Sequence, residues 1–351
     1  MTHLNRYLTV MFLQRFMLTV FGLVVLLGVL DALSNADLLP EDGGLLDQFR
    51  YMGLRMPILF DRIMIFALLM SLLLTYISLI RRNELVAIVA AGVSVFGQVR
   101  ALIPAVVIAS VASAVLIDQI NPITTRALEN WLGPEAVHEN GQAPQKLWLA
   151  DGRLLVEVGG LNRDRTLSDL VLYERGANGK IAAISKVASA YATPEGWVLG
   201  DVKQIRYDGK DVALPDIWRS QQTPHTLRLL MSEPRNLALA DLYRLSQMTG
   251  SGSLPSDAYM VWFLNRLSLP FIAIGFLMMT VPIMQHFGRR DSGEISLAIG
   301  IGAGFIFMVV DGVFKTLSEN GSLSAIIAVV VPVGTLMLIG LWLSLNRTAS
   351  A

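Results

Sequence analysis

Residues 63–100 read IMIFALLMSLLLTYISLIRRNELVAIVAAGVSVFGQVR, and this stretch decides how the chain is built. Its first part, residues 63–80, has no charge and approaches the roughly 20 residues that a helix needs to cross a hydrocarbon core of about 30 Å. Its second part, residues 81–100, has arginine at both ends and an apolar middle that is too short to cross. The stretch therefore predicts a membrane-spanning helix followed by a short helix that stays on one side of the membrane.

The composition of the whole chain agrees with a membrane protein. Of 351 residues, 53% are hydrophobic and 16% are charged, and the mean hydropathy of +0.54 exceeds that of an ordinary soluble domain. Lys plus Arg and Asp plus Glu number 28 each, so no excess of charge points to nucleic acid. The sequence has no cysteine and only four scattered histidines, and we therefore expect no disulfide, no metal site and no cofactor.

Apolar windows long enough to span a membrane occur six times. They cover residues 16–33, 63–80, 101–117, 267–284, 295–314 and 325–345. Basic residues in short loops stay in the cytoplasm, and on this count one side holds Arg6, Arg15, Arg81, Arg82, Arg100, Arg289, Arg290 and Arg347. We therefore expect both termini and residues 81–100 in the cytoplasm, and the acidic loop 37–47 outside.

A long polar segment between the third and fourth spans predicts a separate domain on the outer side. The chain thus divides into residues 1–117, 118–258 and 259–351. Asp-Gly pairs at 151–152 and 208–209 follow short apolar runs and favour two-residue hairpin turns. Regularly spaced short strands indicate a β-sandwich or jelly roll, whose interior is either a plain core or a slot for an acyl chain. The fold class is therefore a six-helix membrane protein with an inserted, all-β, jelly-roll-like domain.

Four basic residues fall at the same depth, near the outer ends of the predicted spans: Arg55, Arg62, Arg266 and Lys315. They either snorkel to the interface or form a basic rim that faces an anionic lipid headgroup. Lys315 lies four residues after Asp311 and can pair with it. In the fifth span, Gly300 and Gly304 have the spacing that permits close helix packing, although glycine is also common in membrane helices.

Residues 83–92 predict the short cytoplasmic helix. Asn83 is a suitable N-cap, Glu84 complements the helix N-terminus, Gly92 can end the helix in a left-handed conformation, and Ser94 can start the next one. The helix lacks the basic face of a membrane anchor, which favours a protein partner over a connector buried in lipid. We expect a groove in that partner to receive the apolar side chains and a cation there to meet Glu84. These side chains are Leu85, Val86, Ile88 and Val89.

The chain resembles the LptF/LptG permease family of lipopolysaccharide export, and the LptG-like branch in particular. The matching motifs are NELV at 83–86, AAGVS at 90–94, WLADG at 148–152, GWVL at 196–199 and RLSLP at 266–270. The resemblance implies a heterodimer with a homologous permease, a cytoplasmic ATPase dimer, and a periplasmic bridge of jelly-roll domains that receives lipopolysaccharide from the inner membrane. The first span departs from the LptG-like pattern, because it has Asp31 and Asp37 near its outer end and no lysine there.

Two other classes of function remain compatible with the residues alone. The chain could be a membrane scaffold or sensor whose short helix binds a partner without transport, or an enzyme that modifies lipid. The second is disfavoured because a Gly-x4-Gly-Lys-Ser/Thr phosphate loop, a His-Glu-x-x-His helix and a Gly-x-Ser-x-Gly nucleophile turn are all missing from the sequence. ATP hydrolysis is therefore expected on a separate chain.

Overall fold

The computed structural model describes residues 2–40, 44–133, 146–152, 154–162, 164, 166–176, 181–206, 217–218, 220, 222–248, 252–287 and 294–348. Its helices are α1 Thr2–Ser34, α2 Leu45–Arg81, α3 Glu84–Ala90, α4 Val95–Leu132, α5 Pro224–Met231, α6 Leu239–Ser246, α7 Ser256–Phe287, α8 Glu294–Glu319 and α9 Ala325–Thr348. Its strands are β1 Leu147–Asp151, β2 Leu154–Leu161, β3 Thr166–Arg175, β4 Ile181–Thr193, β5 Gly196–Arg206 and β6 Ile217–Trp218. Arg289, Arg290 and the second Asp-Gly pair, 208–209, lie outside the described residues.

Six of these helices are long and apolar enough to cross a membrane, as the sequence predicted: α1, α2, α4, α7, α8 and α9. Helices α2 and α7 form the centre of the bundle, since 67% of the most apolar window of each is buried, against 17% for α1 and 22% for α8. Buried side chains from α2, α4 and α7, such as Leu72, Leu102 and Phe276, belong to one continuous apolar core. Helix α4 runs through the domain boundary expected at residues 117–118 and ends only at Leu132.

Helix α8 packs closely on α2 through its two glycines. A Cβ atom added to Gly300 would lie 2.4 Å from Cδ2 of Leu73, and one added to Gly304 would lie 1.9 Å from Cδ2 of Leu69. Both leucines are fully buried. The four-residue spacing places both glycines on one face of α8, so each lets a leucine side chain of α2 approach the α8 backbone.

The inserted segment forms an antiparallel six-stranded sheet in the order β1-β2-β3-β4-β5-β6, and this sheet curls into a half-barrel. Alternate residues such as Val156, Leu170 and Val187 point inward and are buried, as expected for strands with one dry face. They share a core with Leu227 of α5 and Leu242 of α6. The described strands all belong to this one sheet. The core therefore lies between the sheet and helices, whereas the core of a sandwich lies between two sheets.

The first hairpin forms where the sequence predicted it, but its turn is shifted by one residue. Asp151 is still within β1 and pairs with Leu154, so the two-residue turn begins at Gly152 rather than at Asp151. Gly152 has φ +59°, which a residue without a side chain adopts at little cost. At the other end of this hairpin, on the face opposite the core, Lys146 hydrogen bonds Glu157 and lowers the pKa of that carboxyl below its usual value.

Candidate functional site

The short helix α3 stands between the spans α2 and α4, as the sequence predicted, but its N-terminus is built differently. Asn83 adopts a left-handed conformation with φ 58°, and its side chain makes no capping hydrogen bond. Asn83 thus holds the N-cap position, as predicted, but without side-chain capping, and its backbone N–H donates to the carbonyl oxygen of Ile80 at 2.9 Å. Gly92 does end the helix with φ +80°, and Ser94 Oγ caps α4 by accepting the backbone N–H of Gly97 at 3.2 Å.

The apolar side chains of α3 do not all face outward. Leu85 and Ile88 are three residues apart and therefore share a face. That face packs into the apolar core of the membrane helices, where Leu85 keeps 4% of its surface exposed. Val86 remains 56% exposed, and Val89 is half-buried. The prediction that all four side chains fill a partner's groove is therefore corrected, because two of them anchor the helix to its own chain.

A pocket of about 480 Å³ lies beside α3. It is lined by Ile80, Asn83, Leu85, Val86, Val89, Ala90 and Gln285. Gln285 belongs to the end of α7, and its buried Nε2 has no hydrogen-bond acceptor among the described residues. The exposed side of α3 and the end of α7 therefore form one continuous surface at this end of the bundle.

Glu84, the first residue of α3, is held by a residue that the sequence analysis missed. The hydroxyl of Tyr7 on α1 donates to Oε2 of Glu84 at 2.5 Å, and Nη1 of Arg82 lies 4.0 Å from Oε1. The Glu84 side chain is one-third exposed. Because Tyr7 lies 77 positions before Glu84, no local sequence pattern could have paired them.

At the opposite end of the bundle, the first of the four predicted rim residues is buried in an ion pair. Arg55 is 3% exposed, and two of its guanidinium nitrogens, Nε and Nη2, each donate to a different carboxylate oxygen of Asp31 at 2.9 Å. The hydroxyl of Tyr51 donates to the same carboxylate at 3.1 Å. Asp31, which departs from the LptG-like pattern, therefore neutralises Arg55 and ties α1 to α2.

A second ionic cluster joins the bundle to the base of the inserted domain. Arg266 on α7 donates to Asp118 on α4 at 3.2 Å and to the backbone oxygen of Arg235 at 2.6 Å. Arg235 lies between α5 and α6 and donates its Nε to Asp61 on α2 at 2.8 Å. Asp118 also accepts the backbone N–H of Leu239 at 2.5 Å. Three spans and the domain base are thus connected by charged hydrogen bonds.

The same cluster reaches α8 through an aromatic ring. The predicted pair of Lys315 and Asp311 forms on α8. Trp262 of α7 has the guanidinium carbon of Arg235 5.1 Å from its ring centroid and the Lys315 ammonium 5.8 Å from it, both within cation–π range. Its indole N–H donates to Glu319 at 2.5 Å. Arg55, Arg266 and Lys315 thus each face a carboxylate of their own chain. The fourth predicted rim residue, Arg62, is half-buried on α2.

Comparisons with known proteins show the family of the chain. The family profile for "Lipopolysaccharide export system permease LptF/LptG" matches residues 6–346. "Lipopolysaccharide export system permease protein LptG" of Escherichia coli strain K12 is 24% identical over 373 aligned positions, covering 98% of each chain. The protein of the same name from Haemophilus influenzae is 24% identical over 311 positions, covering 85% of each chain. Since the family profile spans nearly the whole sequence, the chain belongs to the LptF/LptG family of lipopolysaccharide export system permeases.

Proposed function

We propose that this permease subunit converts movements of a cytoplasmic ATPase dimer into extraction of lipopolysaccharide from the inner membrane. As a member of its family, the chain is a multi-pass inner-membrane protein and a transport subunit rather than an enzyme. A second, homologous permease of the LptF type would complete the membrane part, and jelly-roll adaptors of the LptC and LptA type would receive the lipid. The resemblance to the family implies these partners, and the relatives named LptG support participation in a lipopolysaccharide export system.

The observation that carries the proposal is the way in which α3 is attached to the membrane helices. Its seven residues stand directly between two spans, and Leu85 and Ile88 fix one face in the core. A rigid element joined to two spans passes on a displacement that a flexible loop would absorb. Outside that buried face, Val86 is exposed, and Val89 and Glu84, which flank the buried face, are partly exposed. We propose these residues, together with Gly92 at the end of the segment, as the contact with the ATPase.

The proposed orientation places α3 in the cytoplasm and the sheet in the periplasm. Arg6, Arg15, Arg81, Arg82 and Arg100 belong to the α3 end of their helices or to the adjoining turns. The inserted sheet is connected to the opposite ends of α4 and α7. Because basic residues of short loops resist export, both termini belong on the cytoplasmic side under this proposal. We keep residues 118–258 as the exported unit, with α4 reaching into it.

The sheet offers one edge where a neighbouring β-domain can add a strand. At the β1 edge, Ser253 Oγ accepts the backbone N–H of Trp148 at 2.9 Å and donates to the backbone oxygen of Lys146 at 3.2 Å, so part of this edge is already satisfied. At the other edge, Ile217 and Trp218 of β6 pair with Val198 and Trp197 of β5, and residues 207–216 lie outside the described part of the chain. An open sheet edge readily accepts another strand, so we propose the β5–β6 edge as the contact with the periplasmic bridge.

We retain Arg55, Arg62, Arg266 and Lys315 as candidate contacts for lipid phosphates, under one physical condition. Three of them already have carboxylate partners: Asp31 for Arg55, Asp118 for Arg266 and Asp311 for Lys315. A phosphate would have to replace or join these carboxylates, and an anion beside a second carboxylate is repelled. Headgroup binding at these residues is therefore proposed for a conformation in which the ion pairs are exchanged.

Charge reversal at Glu84 tests the coupling role. Glu84→Arg adds repulsion to the loss of a bond, so it should reduce transport more than Glu84→Ala. An acidic residue placed at the matching basic position of the ATPase groove should restore transport to the Glu84→Arg variant. The control is Glu195→Arg, an exposed carboxylate at the β4–β5 turn, which should leave the ATPase contact unchanged. Full transport by Glu84→Arg alone would show that α3 does not couple through this residue.

A further inference from the structure

Tyr7 connects the first helix of the chain to the coupling helix. Its ring is 40% exposed at the surface of α1, and its hydroxyl donates to Oε2 of Glu84 at 2.5 Å. Tyr7 makes this bond from a separate helix, whereas Arg82, the other group near this carboxylate, is only two positions away in the chain. Tyr7 therefore connects two helices, α1 and α3, that are far apart in the sequence.

The bond leaves the two oxygens of Glu84 in different situations. Oε2 accepts the Tyr7 hydroxyl, whereas the described residues supply no hydrogen-bond donor to Oε1, from which Arg82 Nη1 lies 4.0 Å away. A one-third exposed glutamate without such a bond would sample several rotamers, and a partner would lose affinity in ordering them. Tyr7 therefore selects one orientation of the carboxylate and leaves Oε1 ready for a cation.

The same bond adds a polar contact to α1, which packs into the apolar core through Leu8, Phe12 and Phe16. Only 17% of its most apolar window is buried, the smallest share among the six candidate spans. Besides the tie at Tyr7, Arg15 Nη2 on α1 donates to Ser78 Oγ near the end of α2 at 3.2 Å. Helices α2 and α4 are joined to α3 through the backbone, whereas α1 reaches α3 through the side chain of Tyr7.

We infer that Tyr7 is a positioning residue that orients Glu84 toward a cation of the ATPase and carries the movement of α3 to α1. This inference rests on the proposed function, because it assigns the Tyr7 bond a purpose only if Glu84 meets the ATPase. A displacement of Glu84 then pulls on three helices: α2 and α4 through the chain, and α1 through the hydroxyl of Tyr7.

The test uses Tyr7→Phe, which removes only the hydroxyl, in the complete purified complex. The ATPase should dissociate from the permease about two- to tenfold faster, the factor expected for one partly exposed hydrogen bond. In a Glu84→Ala background the same change should add nothing, because the acceptor is already gone. Tyr191→Phe, an exposed tyrosine of β4, serves as the control and should dissociate as the unmodified complex does.

Lipid exported per ATP hydrolysed, measured in proteoliposomes, tests the link to α1. This ratio should fall in Tyr7→Phe, while the thermal stability of the complex stays the same. If Tyr7→Phe changes neither the dissociation rate of the ATPase nor the lipid exported per ATP, the inference is overturned. It is also overturned if Tyr7→Phe accelerates dissociation equally with Glu84 present and with Glu84 replaced by alanine. If Glu84→Arg impairs transport while Tyr7→Phe does not, only this inference fails. If Glu84→Arg is fully active, the proposed function itself fails.

Discussion

Replacing Gly304 by alanine tests the closest helix contact in the bundle. The added Cβ would lie 1.9 Å from Cδ2 and 3.2 Å from Cγ of Leu69, far inside van der Waals contact. Leu69 is fully buried, so it cannot swing into open space. Either its rotamer changes against packed neighbours or α8 moves away from α2. Both responses cost free energy of the kind measured for overpacked cores, about 1–3 kcal/mol.

Alanine also favours the helix over glycine by roughly 0.8–1 kcal/mol, which opposes part of that cost. Gly302→Ala separates the two effects, because a Cβ there has nothing within 4 Å and gains only the helix preference. The helix preference cancels when the two variants are compared. Gly304→Ala should therefore be less stable than Gly302→Ala by about the overpacking cost alone, roughly 1–3 kcal/mol.

The assay is thermal unfolding of the detergent-solubilised protein, followed by tryptophan fluorescence. Gly302→Ala should unfold at or slightly above the temperature of the unmodified protein, and Gly304→Ala clearly below Gly302→Ala. Gly300→Ala, with a Cβ 2.4 Å from Leu73, should fall between them. Equal unfolding temperatures for Gly302→Ala and Gly304→Ala would show that α8 does not lie on α2 through this face.

Two further predictions concern the end of the protein that carries the β-domain. Arg266→Met leaves the largely buried carboxylate of Asp118 without this cation and should cost up to about 3–5 kcal/mol. Asp118→Leu in the double variant should restore only part of that loss, because the bonds to the Arg235 carbonyl and the Leu239 N–H are absent there. Undiminished copurification of lipopolysaccharide with that double variant would contradict a headgroup role for Arg266. A photo-reactive residue at Val202 of β5 should capture the periplasmic adaptor, and others placed through residues 146–207 should capture lipopolysaccharide in an ATP-dependent way. Absence of any lipid adduct along that range would argue against passage over this sheet.

The elements that follow from local periodicity could be predicted from the sequence. Six apolar windows became six long helices, and the short stretch between Arg82 and Ser94 became α3. The strands around the first Asp-Gly pair formed an antiparallel hairpin, with a shift of one residue in the turn. These features depend on neighbouring residues, whose spacing alone fixes the side that is buried.

Contacts between distant residues could not be predicted in the same way. The basic residues near the outer ends of the spans were identified, and so was the local pair of Lys315 and Asp311. The partner of Arg266 was not, because Asp118 and Arg266 are 148 positions apart. Arg235, which connects the domain base to α2, lay in a segment without any motif. The burial of Leu85 and Ile88 was also missed, since a short apolar helix presents the same pattern to its own chain as to a partner.

The length of α4 gives the protein a lever. Its 38 residues extend about 57 Å at 1.5 Å per residue, nearly twice a hydrocarbon core of roughly 30 Å. One end follows α3 directly, and the other reaches the inserted β-domain. A tilt of about 5° at the α3 end would swing Leu132 by roughly 5 Å over such an arm. Pro104 and Pro122 are the two places where the arm can bend, since each lacks a backbone donor. If the ATPase displaces α3, a small rotation at that end of α4 would move its other end by nearly the distance between two neighbouring strands.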